Sequence, residues 1–403
     1  MLLQIARFEL LYRLRRPATW LYFILFLTIC LLMVMVEGVT VGGVPSAANK
    51  NAPYSIALVM GIFTAFGIMV TSAMMSTPII RDFEHSTHPL IFSLPISKWQ
   101  YLGGRYLGSL IMTLFVFLSL PIGLMLGYGL SLIFGLHVDK FGPFSLWSYF
   151  QPFLFIAIPN ILFAGSVFFA LSTLTKKVVY SYLGNIVLLV GYVVAINLIG
   201  DMDNLKIAAL FDPFGIISLQ QIVRYWTVSE FNTLLVTPDW LFMLNRVIWI
   251  GFGSLLMAFT LWKFSFTLPR TRKTKVKIDE ISSLKSSLND LLPKSIQQFS
   301  FSGHLKLMVK QAWLYFVGII KDIAFVAIML AGVGLVASGA ISMGSRYSTD
   351  YLPVTYSMLE SLGGSFVLFI YIILTFYSGE LIWKERSVKL NQIYDTFPVP
   401  DWL

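Results

Sequence analysis

Eight stretches of this sequence, near residues 18–37, 55–79, 105–127, 151–174, 178–199, 244–264, 322–341 and 357–381, are apolar over lengths that suit a lipid bilayer. A helix needs about 20 residues to cross one. Lipid offers a backbone no hydrogen-bond partners, so segments of this kind are expected to be helices that satisfy themselves. Composition points the same way: 57 % of the residues are hydrophobic and 12 % charged, where soluble domains carry roughly 25 % charged residues. The sequence therefore predicts an all-α, polytopic membrane protein with about eight transmembrane helices. The first run follows Arg7, Arg13, Arg15 and Arg16 and has no A-x-A cleavage pattern, so it is expected to be a retained span rather than a signal peptide. YGLSLIFGL, within 128–150, could extend the third run or dip back into the membrane.

Charge sets the expected orientation. With the N-terminus in the cytoplasm, all of the 29 lysines and arginines fall on the cytoplasmic side except Lys50, Lys140, Lys206, Arg224, Arg246 and Arg346. The net charge of +9 is then explained by topology and anionic lipid, with no need for nucleic acid. Residues 1–17 read as an amphipathic helix in the cytoplasmic interface, with Leu3, Ala6, Leu10 and Leu14 on one face and Arg7 and Arg13 among the polar positions. Residues 18–264 would hold six spans. Between spans five and six, 200–243 is too apolar for a free loop and is expected to form one or two short helices at the outer leaflet. The basic stretch 265–303 reads as a cytoplasmic linker, and 304–403 starts over with an interface helix and two spans.

Little in the chain suggests chemistry. The deep portions of the eight runs carry no Asp, Glu, Lys, Arg or His, so an ion-coupled carrier has no obvious charged pathway. No P-loop pattern occurs, which argues against ATP binding of that kind in this chain. His85 and His88 are one helical turn apart, but no third ligand or general base accompanies them. Cys30 is the only cysteine. The expectation is a protein that is not an enzyme and holds no cofactor or metal. Gly104 and Gly108 form a small-xxx-small pair suited to close helix approach.

The interruption at Arg81–Gly108, RDFEHSTHPLIFSLPISKWQYLGGRYLG, is the strongest functional signal. Phe83, Leu90 and Phe92 can face the membrane or the bundle, with Asp82, Glu84, His85 and His88 facing the cytosol and Pro95 ending the helix. The exposed positions are acidic or neutral, which suits a soluble partner better than anionic lipid. A weaker copy follows: Lys384-Glu385 and Pro398 repeat Arg81-Asp82 and Pro95, and Trp402 repeats Trp99, each matched pair 303 positions apart, with Arg386 next to the second copy's charged pair. Because the first unit has an even number of spans, the two copies would be parallel repeats.

At these residues the chain resembles an ABC-2 type transporter permease, the membrane subunit of an ATP-binding-cassette exporter. The matching features are the leading interface helix, Asp82 and Glu84, the turn Ser93-Leu94-Pro95-Ile96, and Gly104-Arg105 at the next span. DPFG at 212–215 and WTVSEFNT at 226–233 are further similar to large two-half permeases of Bacteroidetes-like bacteria. The resemblance implies a coupling helix within 81–99 that docks on a cytosolic ABC ATPase subunit through Arg81, Asp82, Glu84, His85, His88 and Pro95. It also implies residence in a bacterial inner membrane, contact with lipid, and a second permease half or a second copy of the chain. Two spans in the second unit where six are expected suggest a fragment or one piece of a split gene. A non-transporting membrane anchor that recruits a cytosolic protein is the alternative.

Overall fold

Helix α1 (Leu2–Leu14) precedes the first long apolar helix, α2 (Pro17–Met35), which starts on a proline whose missing N–H needs no partner at that position. Helices α3 (Pro53–Phe66) and α4 (Ile68–Glu84) are separated at Gly67 by a bend of 48°. The short α5 (His88–Phe92) follows. A capping box opens α6 (Lys98–Phe117): the Gln100 N–H donates to Ser97 Oγ at 3.2 Å, and the Ser97 N–H donates to Gln100 Oε1 at 3.1 Å. α7 (Ser119–Ile133) continues α6, giving an apolar stretch of 36 residues from Lys98 to Ile133. α8 (Leu146–Pro152) passes through a π-helical turn at Phe153–Ala157 into α9 (Ile158–Thr175). After α10 (Val178–Ile199), three short helices, α11 (Leu205–Phe211), α12 (Ile216–Ile222) and α13 (Val228–Thr233), lead into α14 (Trp240–Lys263). The rest comprises α15 (Phe301–Ile320), α16 (Ile323–Ser342), a two-residue antiparallel pairing of Ser345–Arg346 with Thr349–Asp350, and α17 (Thr355–Ser387).

This computed structural model describes residues 1–36, 44–45, 47–199, 205–266, 301–342, 345–346, 349–350 and 354–387. Among them, 4 helices are long and apolar enough to cross a membrane, or up to 6 if each bent pair is one span. That is a multi-pass helical protein with fewer full-length spans than the eight predicted. The run at 55–79 is a bent pair, and those at 178–199 and 357–381 contribute only the shorter apolar stretches Val179–Ala195 and Phe369–Leu381. The third run does extend, through α7 to Ile133. Most of the predicted linker, from 267 to 300, lies outside the described residues.

The chain divides into two compact units, Met1–Phe266 with Ala327–Phe366, and Thr267–Val326 with Val367–Leu403. Within the first, α2 packs on α7, α1 on α6, and α9 on both α4 and α14. The core between them is filled by large side chains such as Met60, Met75, Phe117, Phe168 and Phe169. α9, at 18 residues, is roughly 27 Å long, close to the hydrocarbon thickness of a bilayer. Within the second unit, Tyr377 Oη donates to Asp322 Oδ2 at 2.8 Å.

Candidate functional site

Buried charge collects at both ends of α9. Just past one end, Lys176 Nζ sits 4.7 Å over the Phe83 ring at the close of α4. Near the other end, Asn160 accepts a hydrogen bond from Arg246.

At the Phe83 end, α1, α4 and α6 meet around Glu9, which is fully buried. Its carboxylate accepts from Arg13 Nε at 2.9 Å, Arg81 Nη2 at 2.9 Å and Arg105 Nη1 at 2.6 Å. Arg105 also reaches Asp82, where Nη2 donates at 2.8 and 2.9 Å, and Tyr101 Oη donates to Asp82 Oδ2 at 2.7 Å. Arg105 thus bridges two carboxylates. Arg13 goes on to the Met74 carbonyl and Ser109 Oγ. Three guanidiniums surround two carboxylates, a surplus of one positive charge. Burial alone would raise the Glu9 carboxyl, but Arg13, Arg81 and Arg105 outweigh it and hold the group below its ordinary value.

The glycine pair makes this meeting possible. A Cβ on Gly104 would fall 2.7 Å from Ile5 Cβ, and one on Gly108 2.7 Å from Glu9 Cβ and 2.8 Å from the Ala6 carbonyl. Only residues without a Cβ allow α1 to lie this close to α6, and that closeness brings Glu9 within reach of Arg105.

Two expectations are corrected here. Asp82 does not face outward; it is buried against Arg105 and Tyr101. In α1, Arg13, expected among the polar positions, is buried. Ala6, Glu9 and Arg13 turn inward, while Leu3, Phe8, Leu11 and Leu14 are exposed. The physical reason is the same in both cases: paired inside, these charges satisfy one another.

Nor is 81–99 one helix. α4 ends at Glu84, Ser86 takes a left-handed conformation (φ 53°), and α5 has only 5 residues. Phe92 anchors α5 from beneath, with ring centroids 5.8 Å from Tyr101, 4.8 Å from Phe266 and 6.1 Å from Phe264. His88 is half-buried and stacks on Phe83 at 4.6 Å. Glu84, His85, Leu90, Leu94 and Pro95 are exposed, Leu90 by 73 %. Arg81 is drawn inward to Glu9. In the second copy, Lys384 and Glu385 fall in α17, where their side chains are outside the described residues; Arg386 is exposed; Pro398 and Trp402 are not described. No group of three or more His, Cys, Asp or Glu among the described residues could hold a metal.

At the Asn160 end, Asp212 is buried and accepts from the backbone N–H groups of Phe214 at 2.8 Å and Ile217 at 2.7 Å. Gly215 follows at φ +73°, a conformation that favours glycine, with the Arg246 guanidinium filling the space a Cβ would take. Arg246 Nη1 donates to Asn160 Oδ1 at 2.7 Å, and Asn245 Nδ2 donates to the Asp212 carbonyl at 2.8 Å. Burial pushes the Asp212 carboxyl up from its ordinary value, against the pull of those N–H groups and Arg246. The DPFG motif is thus a turn closed by its own aspartate. TVSE, at 227–230, is the capping box of α13.

Glu9, Tyr101 and Asn245 were not singled out from sequence. Glu9 and Arg13 stand at i and i+4, a spacing that marks an ion pair on one helix face. No protein-family model matches this chain, and no curated protein matches it.

Proposed function

We propose that the chain is the transmembrane permease subunit of an ABC-2 type exporter, moving an unidentified substrate with ATP hydrolysed by a separate cytosolic subunit. In this reading it resides in a bacterial inner membrane with its N-terminus in the cytoplasm. Its 1–264 region is a six-span unit, and the remainder begins a parallel second one. One observation carries the reading: the end of α4 and α5 are bare on their outer side, through Glu84 and Leu90, yet α5 is keyed from beneath by Phe92 to α6 and to the residues following α14. A short element exposed to a partner and packed on long helices can pass a push into the bundle. The ion network joining α1, α4 and α6 keeps those helices moving together. Closure of the ATPase dimer would then rock the bundle between its open states.

A photocrosslinking residue placed at Leu90 tests this in membranes of the native host. The expected adduct is a P-loop ATPase, identified by its peptides, with none formed from the same residue at Trp240. A correctly inserted chain that crosslinks from Leu90 to no ATPase would sink the proposal. An adduct with a soluble protein lacking a P-loop would favour the anchor instead.

A further inference from the structure

Beside the ion network lies a cleft of about 270 Å³ between α1, α5 and the start of α6. Phe8, Ile91, Leu94 and Ile96 give it a mostly apolar wall, and its polar groups come from Met1, Gln4, Tyr101 and Arg105. Arg105 is only 5 % exposed and is already shared between Glu9 and Asp82, yet its Nε–H has no acceptor. Arg81 Nη1 is in the same condition. A buried donor without a partner is unfavourable, and the surplus positive charge of the network makes an anion the natural remedy.

We propose that this cleft binds one anionic phospholipid, its phosphate held against the Arg105 side of the cleft and part of an acyl chain lying along Phe8, Ile91, Leu94 and Ile96. Charge and surface agree on this occupant. The network carries one more guanidinium than carboxylate, and α1 adds the exposed Arg7 and Arg15. An apolar wall ending at a cation fits an amphiphile with an anionic head, and a multi-pass helical protein sits among such molecules. The exposed Phe8, Leu94 and Trp99 surround the region with lipid-compatible surface. The lipid would wedge α5 against α1 and complete the hydrogen bonding of the network. This proposal does not rest on the exporter reading, since no ATPase enters it.

The test is native mass spectrometry of the full chain, stripped of lipid in detergent and titrated with phosphatidylglycerol or phosphatidylcholine. Both lipids offer a phosphate to Arg105, but the quaternary ammonium of phosphatidylcholine cancels its charge beside a network with a surplus cation, so phosphatidylglycerol is expected to bind about tenfold more tightly. Leu94→Trp fills the cleft from an exposed position without touching the charges, and should weaken phosphatidylglycerol binding about tenfold while the thermal midpoint of the lipid-free protein stays unchanged. Ile91→Trp provides a second obstruction from α5. Equal affinity for the two lipids would overturn the proposal, as would undiminished phosphatidylglycerol binding in both folded tryptophan variants. Inorganic phosphate that protects the protein against heat as well as phosphatidylglycerol does would overturn it too, because the site would then read a free anion and not a lipid.

Discussion

The two buried charge clusters at the ends of α9 are built on different plans. The one around Glu9 joins three helices far apart in sequence and is held by charge against charge, with a cation in excess and two guanidinium donors unclaimed. The one around Asp212 makes its hydrogen bonds to neutral groups, two backbone N–H donors on the carboxylate and Asn160 and Asn245 on Arg246, while Arg246 acts on Asp212 without a direct ion pair. The first has an open cleft at its side. The second closes a turn. A cluster made of amides and backbone fixes a shape, whereas one made of surplus charge beside open space leaves something to be bound.

The largest effects should separate these plans. Arg105→Leu strips Glu9 and Asp82 of a shared partner and is expected to cost about 3–5 kcal/mol, as for other broken buried ion pairs. Arg246→Leu leaves Asp212 with both of its N–H donors and should cost about 1–3 kcal/mol. Denaturant midpoints in detergent measure both, and equal losses would erase the distinction. Next in size is Gly108→Ala, whose Cβ would overlap Glu9 and Ala6 and should destabilise by about 1–3 kcal/mol. Gly251→Ala meets nothing within 4 Å and should stabilise α14 by up to about 1 kcal/mol.

Acid should move the clusters in opposite directions. The folded value of Glu9 lies below its ordinary 4.5, so its contribution is complete above that pH and is lost as pH falls through the folded value. The folded value of Asp212 lies above its ordinary 3.8, so the folded state takes up a proton first and gains stability as pH falls toward 3.8. Glu9→Gln should therefore flatten the acid loss of stability, and Asp212→Asn should remove the acid gain. Parallel responses in the two variants would contradict the assigned causes.

Much of the fold was legible because lipid permits few alternatives: long apolar runs became helices, Pro17 marked the break after the first helix, and Gly104 with Gly108 marked a close crossing. The bend at Gly67 was not legible, since apolar residues continue through it without a change of pattern. Charge direction failed for a related reason. In water, Asp82 and Arg13 would face outward, and the periodicity of α1 was read on that assumption. In the structure the leucines Leu3, Leu11 and Leu14 are exposed while Glu9 and Arg13 are buried, because the charges pair with one another inside. What remained invisible was pairing between distant residues: Glu9 and Arg105 are 96 positions apart, and only folding shows that they touch.

The smallest effect is the most useful for function. Asp82 and Glu84 are two residues apart on one helix and belong to the same sequence motif, yet one is buried and the other exposed. Reversing Asp82 would bring a fourth cation to Arg13, Arg81 and Arg105, so loss of activity in that variant would report a broken interior. Glu84→Lys lies outside the network and should change stability by no more than about 0.5 kcal/mol. If its folded amount and denaturant midpoint match the wild type while coupling to an ATPase falls, the loss belongs to the exposed surface of α4 and α5. If coupling survives Glu84→Lys combined with Leu90→Asp, that surface is not where the partner pushes, and the comparison between the clusters stands without the exporter.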